Sequence, residues 1–236
     1  MNSMNGARGR ITGLALIFAA LGTVPATTAR AEDGAYKAPP VGFQITWKRE
    51  IRQGEKYTVG PLIHSVTAAK GDEVVYKVVE PGGDVVRLLR GIFSYAFWRP
   101  GKGWAEYKFD KAAIRALWPL KPGNEAKVAM KFGFGLAKTE EVARKKWAHS
   151  ETGSIHFKVL RREKVTTPAG TFDAFVIQRD RRFTKLADKK TDSHRRVAWF
   201  VPSLGYVVKQ VVTYQPANPK GRRTTIEAMQ IEGQAK

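Results

Sequence analysis

Residues 165–180 read VTTPAGTFDAFVIQRD, in which two strand-like segments flank Pro168-Ala169-Gly170. Proline presets φ at the first corner of a reverse turn, and glycine accepts the positive φ that a type II turn needs next. A phosphate-cradling loop would open a helix and carry more glycines or a Gly-Lys-Ser/Thr sequence, whereas a strand follows here from Phe172. The stretch therefore predicts a hairpin turn within a fold built from strands.

Alternation of apolar and polar residues recurs on both sides of this turn. Residues 41–48 read VGFQITWK, and residues 127–135 and 155–159 alternate in the same way. Such alternation is typical of strands with one buried face. About ten strands separated by glycine- and proline-containing turns predict a mainly β fold, a curved antiparallel sheet that resembles a half-barrel.

Two short segments carry helix signals. Residues 110–120 begin with Asp110, whose side chain is suited to cap a helix, and stop at Pro119. Residues 138–147 begin with Thr139 as the expected cap, followed by two glutamates in the first turn. We therefore expect one or two short helices that cover the open face of the sheet.

The N-terminal stretch has the three-part layout of a secretory signal peptide. A positively charged start and a short apolar core at 11–24 precede the small residues Ala29 and Ala31. The core is too short, and too often interrupted by glycine and threonine, to span a bilayer well. We predict that residues 1–31 are a signal peptide, cleaved after Ala31, and that 32–236 form a single β-rich periplasmic domain without a transmembrane segment.

The composition restricts the partners of the exported chain. The 236 residues include no cysteine and carry a formal net charge of +20 at pH 7; loss of the signal removes three arginines and no acid, which leaves +17. The absence of cysteine excludes disulfides, thiolate metal sites and a cysteine-linked lipid anchor. In the cytosol, a chain with this much positive charge would be expected to bind nucleic acid. An exported protein encounters anionic lipid or envelope polymers instead. The expected partners are therefore anionic lipid, an envelope polymer or another envelope protein, and not nucleic acid.

The most informative polar feature is the basic segment 179–196, RDRRFTKLADKKTDSHRR, which we expect to be a loop between two strands. It holds eight lysines or arginines against three aspartates. One interpretation is a solvated hairpin excursion, because charge runs usually face water. The other is a clamp for phosphate or carboxylate groups, which suit the bidentate fork of arginine. Residues 143–147 and 218–225 would join the clamp if the fold brought them to the same rim. The candidate ligand-binding cations are Arg181, Arg182, Lys185, Lys189, Lys190, Arg195 and Arg196.

Aromatic residues are the second candidate feature. Residues 93–98, FSYAFW, together with Trp104 and Trp118, form an unusually aromatic group for a small core. Most of these rings are expected to pack in the core, because buried aromatic side chains dominate packing energetics. The alternative is an apolar trough for an acyl chain, in which Trp98 and Trp104 contact the ligand below a rim of cations.

No motif for catalysis, metal binding or a cofactor is present. Asp188, Asp192 and His194 could cluster as metal ligands, but they lie among lysines and arginines that would repel a cation. There is no G-x-S-x-G or S-x-x-K sequence and no pair of carboxylates at matched positions. We therefore expect no metal, no cofactor and no catalytic residue, although groups far apart in sequence leave an enzyme as an alternative.

The C-terminal half resembles a group of uncharacterised exported bacterial proteins. VTTPAGTFDAFVIQ and AWFVPSLGYVVKQVV match their shared pattern, TPAGTF followed by W…P..G.VVK, and LWPLKPG at 117–123 resembles their middle segment. These proteins are similar in architecture to the periplasmic lipoprotein-carrier superfamily, a curved antiparallel half-barrel that cups an apolar face. The resemblance spans roughly residues 115–214 and rests on turn and core residues, so it implies a location and an architecture and carries over no catalytic residue.

These features predict a non-enzymatic periplasmic protein that binds an amphiphilic or anionic envelope component, either a lipid-like ligand or an envelope polymer. Two alternatives stay open: an envelope structural or interaction module without a small ligand, and an enzyme of unknown class. A cavity that converges on paired titratable side chains would favour the enzyme, and an open basic or apolar trough would favour the binding protein.

Overall fold

The computed structural model describes residues 36–80, 83–215 and 222–233. The predicted signal peptide and its cleavage site lie outside these residues and stay predictions. The described residues form a mainly β fold with two short helices, as predicted, and with twelve strands where about ten were expected. The elements are β1 (Gln44–Gln53), β2 (Lys56–Lys70), β3 (Glu73–Glu80), β4 (Val85–Leu89), β5 (Phe93–Arg99), β6 (Gly103–Phe109), α1 (Lys111–Arg115), β7 (Glu125–Gly135), α2 (Glu140–Lys145), β8 (Ala148–Thr167), β9 (Gly170–Lys185), β10 (Thr191–Val201), β11 (Tyr206–Gln215) and β12 (Arg222–Glu232).

The strands form a closed antiparallel barrel rather than the predicted half-barrel. Each strand pairs with its neighbours in sequence, and β1 also pairs with β12. This closing pair runs from Gln44 opposite Glu232 to Gln53 opposite Arg222. Alternating apolar and polar residues identify strands with one buried face, but they do not reveal whether the first and last strands meet. The half-barrel expectation was wrong for that reason.

The turn at Pro168 and Ala169 joins two paired strands, as predicted. Thr167 at the end of β8 pairs directly with Gly170 at the start of β9. Gly170 has a φ of 135°, in the region that favours glycine. It opens β9 instead of forming a corner of the turn, and Ala169 has no positive φ. The type II assignment was therefore wrong, while the hairpin itself is confirmed.

The helix α1 closes one end of the barrel. Asp110 caps it as predicted, because its side chain accepts a hydrogen bond of 2.8 Å from the backbone N–H of Ala112. Beyond the helix, Leu117 is fully buried and the Trp118 ring packs edge-on against Phe200 at 6.0 Å. This segment fills the end of the barrel.

The helix α2 lies at the opposite end, because β7 runs the length of the barrel between the two helices. The side chain of Thr139 makes no capping hydrogen bond, in contrast to the prediction. The helix packs directly on β7, since a Cβ added to Gly135 would overlap the carbonyl oxygen of Ala143. Both helices are shorter than predicted, and they sit at the ends of a closed barrel because it has no open face to cover.

The interior changes from apolar to basic along β9 and β10. Phe175 and Ile177 are buried at the α1 end, and the next inward position on β9 is the buried Arg179. On β10, Phe200 lies opposite Phe175, and Arg196 lies opposite Arg179. The core therefore fills the α1 half and gives way to polar side chains toward α2. None of the helices in the described part of the chain has the length and apolar character needed to span a bilayer.

Candidate functional site

A cavity of about 760 Å³ occupies the α2 half of the barrel. Its rim is built from strand ends, because Gln53, Arg99 and Lys185 close β1, β5 and β9, and Arg222 opens β12. Strand ends of alternating direction meet at one end of an antiparallel barrel, so these four side chains share one mouth. The volume lies in the range of cavities that hold drug-sized ligands.

The cavity wall is strongly basic. Among the described lining residues, one carboxylate, Asp192, faces six cations. The carboxylate is engaged with Lys185 at 2.7 Å, while Arg99 pairs with Asp84 at 3.1 Å. The lining cations are Arg99, Arg179, Arg181, Lys185, Arg196 and Arg222.

Arg181 has a carboxylate partner of its own. Its guanidinium pairs with Glu151, and both side chains are largely buried. The guanidinium also lies over the ring of Phe183, 3.8 Å from its centroid, and over Tyr107 at 4.8 Å. These contacts pair the charge of Arg181 and fix the orientation of its side chain, while its Nε atom, like those of Arg179 and Arg196, is buried without a hydrogen-bond partner.

Arg179 and Arg196 have no ion pair among the described residues, and they stand directly opposite each other on β9 and β10. Arg179 is 7% exposed, and the Nε atoms of both side chains are buried without a hydrogen-bond partner. Burial and the charge of Arg196 lower the pKa of Arg179 well below its usual value, and burial also lowers the pKa of Arg196. Like charges at directly opposite positions destabilise an antiparallel pair, and buried charges are normally paired. Two guanidinium groups thus line the cavity without a carboxylate partner among the described residues.

His194 borders these arginines without adding charge. It lies opposite Arg181 in the register of β9 and β10. Burial, and to a smaller extent the charges of Arg179, Arg181 and Arg196, lower its pKa to about 3. The ring is therefore neutral at pH 7 and can donate or accept one hydrogen bond on each nitrogen according to its tautomer.

A buried polar cluster lies between the cavity and the apolar core. The Nε1–H of Trp47 donates a hydrogen bond of 3.1 Å to Nδ1 of His64, whose ring stacks on Tyr76 at 4.2 Å. Burial lowers the pKa of His64 to about 3 and raises the pKa of Tyr76 to about 12. These groups are neutral at pH 7, so they offer hydrogen bonds and do not neutralise the arginines.

An apolar cavity of about 250 Å³ adjoins the basic one. Phe132 and Phe134 line it, and it shares Phe97, Arg99 and Tyr107 with the basic cavity. A ligand with an acidic group and an apolar chain would therefore find both environments side by side.

The structure divides the basic segment 179–196 between the inside and the outside of the barrel. It is a hairpin rather than a loop, because β9 continues to Lys185 and β10 begins at Thr191. The cavity is lined by Arg181, Lys185 and Arg196. Four others lie elsewhere: Arg182 and Arg195 on the outer surface, and Lys189 and Lys190 in the turn. The seven candidate cations do not form one surface.

The two candidate tryptophans lie outside the basic cavity. Trp98 pairs with Trp104 across β5 and β6. Trp104 is fully buried between the guanidinium groups of Arg87 and Arg144, at 5.6 and 4.9 Å from its ring. It borders the smaller apolar cavity. Of the two further basic stretches, 218–225 contributes Arg222 to the cavity, whereas 143–147 belongs to the α2 region and contributes nothing to it.

Arg179, Tyr214 and His194 were missed as ligand-binding candidates. A signal for Arg179 exists in the sequence, because Phe175, Ile177, Arg179, Arg181 and Phe183 continue a period of two that places them on one face. The described residues contain no group of three or more His, Asp or Glu side chains that could hold a metal ion. In particular, Asp188 pairs with Lys190, and Asp192 with Lys185.

No protein-family model matches the chain, and no curated protein matches it in sequence. Among solved structures, the chain is similar to the hypothetical lipoprotein YmcC from Escherichia coli K12, with a TM-score of 0.44 and 10% identity over 79% of this chain and 84% of that one. It is also similar to a protein with a YmcC-like fold from Bacteroides fragilis, with a TM-score of 0.45 and 15% identity over 84% of this chain and 99% of that one. A LolA-superfamily protein, NE2245 from Nitrosomonas europaea, aligns at a TM-score of 0.26 and 9% identity over 87% of this chain and 92% of that one. Proteins with a YmcC-like fold and a LolA-superfamily protein are thus among the structures that resemble it.

Proposed function

We propose that the protein is a non-enzymatic binding protein of the cell envelope that holds an anionic amphiphile inside its barrel. The acidic group of the ligand, a phosphate or carboxylate, lies between Arg179 and Arg196. Its apolar part extends along the adjoining apolar cavity. Export to the periplasm is supported by the signal-peptide pattern of residues 1–31.

The single observation that carries this proposal is the opposed pair of arginines without a carboxylate. Arg179 and Arg196 face each other across β9 and β10, with buried Nε atoms that lack a partner. An oxyanion with several acceptor oxygens can accept hydrogen bonds from two guanidinium groups at once, and it cancels their mutual repulsion. His194, neutral at pH 7, offers one more hydrogen bond at this position.

The apolar part of the ligand is inferred from the neighbouring wall. Phe132 and Phe134 line the smaller cavity, and Phe97 and Tyr107 belong to both cavities. Burial of an alkyl chain stabilises a complex by about 0.8 kcal/mol for each CH₂ removed from water. An acidic head with an alkyl chain should therefore bind more tightly than the head alone.

Isothermal titration calorimetry with three probes tests the proposal. Dodecyl phosphate, below its micellar concentration, supplies both the head and the chain; inorganic phosphate supplies the head alone, and dodecyl maltoside a chain with an uncharged head. We expect dodecyl phosphate to bind at least about tenfold more tightly than phosphate, and dodecyl maltoside to bind more weakly than both. Equal binding of dodecyl phosphate to the wild type and to an Arg179→Met, Arg196→Met variant would overturn the proposal.

A further inference from the structure

Three exposed apolar side chains lie at the open end of the barrel. Phe134 and Leu136 flank Gly135 at the end of β7, and they are 48% and 64% exposed. Val142 is 43% exposed and lies on α2, next to Ala143, whose carbonyl oxygen packs against Gly135. Leu136 also approaches Gly103 at the start of β6. Phe134, Leu136 and Val142, which we call the mouth tip, are thus exposed at the same end of the barrel, and Phe134 also lines the apolar cavity.

The mouth tip is flanked by lysines without an ion pair among the described residues. They are exposed and come from the β5–β6 turn and from both sides of α2: Lys102, Lys138 and Lys146. The carboxylates of this region are already engaged, since Glu140 pairs with Arg87 at 2.7 Å and Glu141 with Lys145 at 2.7 Å. The net charge presented around the tip is therefore positive.

We infer that the mouth tip docks into an anionic lipid bilayer. Exposed aromatic and aliphatic side chains at the same end as exposed lysines match the boundary between headgroups and acyl chains, where apolar groups insert and lysines contact lipid phosphates. A protein partner would require carboxylates placed opposite each lysine, whereas a bilayer offers mobile negative charge in any arrangement. Lys102 and Phe134 also line the apolar cavity, so docking would place its entrance at the lipid surface.

Sedimentation with sucrose-loaded vesicles tests the inference. Vesicles of phosphatidylcholine with 30% phosphatidylglycerol are compared with vesicles of phosphatidylcholine alone, at about 0.05 and 0.3 M salt. We expect binding to the anionic vesicles that weakens with salt, because the attraction is screened over about 10 Å at 0.1 M. Replacing Lys102, Lys138 and Lys146 with glutamine should weaken binding about 100-fold at low salt, at about a factor of five per lysine near an anionic surface. The Phe134→Ser, Leu136→Ser variant should weaken binding at least about tenfold, because it loses the inserted apolar area.

Matched controls come from the other end of the barrel. Lys37, Lys121 and Lys164 are exposed near the α1 end, so a triple glutamine variant there removes the same charge from a distant surface. Val41 is 65% exposed near the same end, and Val41→Ser serves as the apolar control. If the control triple weakens vesicle binding as much as the mouth triple, binding reflects net charge and the inference fails. Binding of the wild type to neutral vesicles as strongly as to anionic ones would also overturn it.

A site-specific label reports insertion directly. The chain has no cysteine, so Leu136→Cys and Val41→Cys each introduce a single thiol for an environment-sensitive dye. Anionic vesicles should shift the emission of the label at position 136 to the blue and leave the label at 41 unchanged. A shift at 136 that appears with protein concentration alone would instead indicate a second copy of the chain and contradict lipid docking. Arg179→Met should keep vesicle binding intact, which separates this test from the test of the cavity.

Discussion

Arg196 stands directly opposite Arg179 in the β9–β10 pair, and the described residues provide no ion pair to either side chain. Opposed side chains on one face of such a pair have Cβ atoms about 4.5 to 5.5 Å apart. Two like charges on opposed side chains at the edge of an apolar core destabilise the protein on its own. An anion bound between the two side chains would cancel this repulsion.

Removal of either unpaired charge should stabilise the free protein while it weakens anion binding. We expect Arg179→Met to raise the free energy of unfolding by about 1 to 2 kcal/mol, because it relieves the repulsion and packs an apolar chain against Phe93. Urea denaturation measures the stability, and calorimetry with dodecyl phosphate measures the loss of binding. Arg182→Met, on the outer surface of the same strand, is the control and should change neither quantity appreciably. A destabilised Arg179→Met protein would contradict the account.

Arg181 should behave in the opposite way, because its charge is paired. Arg181→Met leaves the largely buried carboxylate of Glu151 without its partner, and breaking a buried pair costs about 3 kcal/mol or more. Denaturation of Arg181→Met should show this loss, and adding Glu151→Gln should restore most of it. If the single and double variants were equally unstable, packing rather than charge would explain the role of Arg181.

The two buried histidines make the stability of the folded protein depend on pH. The pKa of His194 and that of His64 fall to about 3 in the folded protein, from 6.5, chiefly through burial. The unfolded chain therefore takes up these protons at a higher pH than the folded protein does. The stability that this difference provides is fully present above pH 6.5 and is lost as the pH falls toward 3.

NMR titration of the imidazole signals tests the lowered pKa values of the two histidines. The signals are assigned with His194→Gln and His64→Gln variants, and the same titration reports the position of the anion. Neither ring should titrate between pH 5 and 8 in the free protein. A bound phosphate beside His194 favours its charged form, so dodecyl phosphate should raise the pKa of His194 more than that of His64. An ordinary titration of His194 near pH 6.5 in the free protein would contradict its buried placement.

Closure of the barrel can be tested with an engineered disulfide. Glu50 lies opposite Thr225 in the β1–β12 pair, and opposite Cα atoms are about 4.5 to 5.5 Å apart, within the reach of a disulfide. Glu50→Cys with Thr225→Cys should therefore oxidise in a chain that has no other thiol. Glu50→Cys with Arg223→Cys, offset by two residues, should oxidise poorly. Equal oxidation of both pairs would argue that these strands are not held in this register.

Much of the strand framework was predictable from local pattern. The hairpin at Pro168 and Ala169 joins β8 to β9 as predicted, and Asp110 caps α1 as expected. Each of these features depends on residues close together in the chain. The pairing of β1 with β12 joins the two ends of the described chain, and no local pattern carries that information.

The cavity was harder to predict because it breaks the rule that charges face water. The charge density of residues 179–196 predicted a loop, either solvated or acting as an anion clamp, and the strand pattern of Phe175 and Ile177 was not extended into it. In the structure the same period of two continues and turns Arg179 and Arg181 inward. Such a conflict between local chemistry and placement is expected where function, rather than stability, selects the residue.

The most direct test of the central claim is a crystal structure of the protein with 12-bromododecyl phosphate. The account predicts phosphate density between the guanidinium groups of Arg179 and Arg196, inside the barrel. It also predicts an anomalous bromine peak beside Phe132 and Phe134, at the other end of the alkyl chain. Phosphate density at the exposed lysines of the outer surface, with an empty space between the two arginines, would contradict the account.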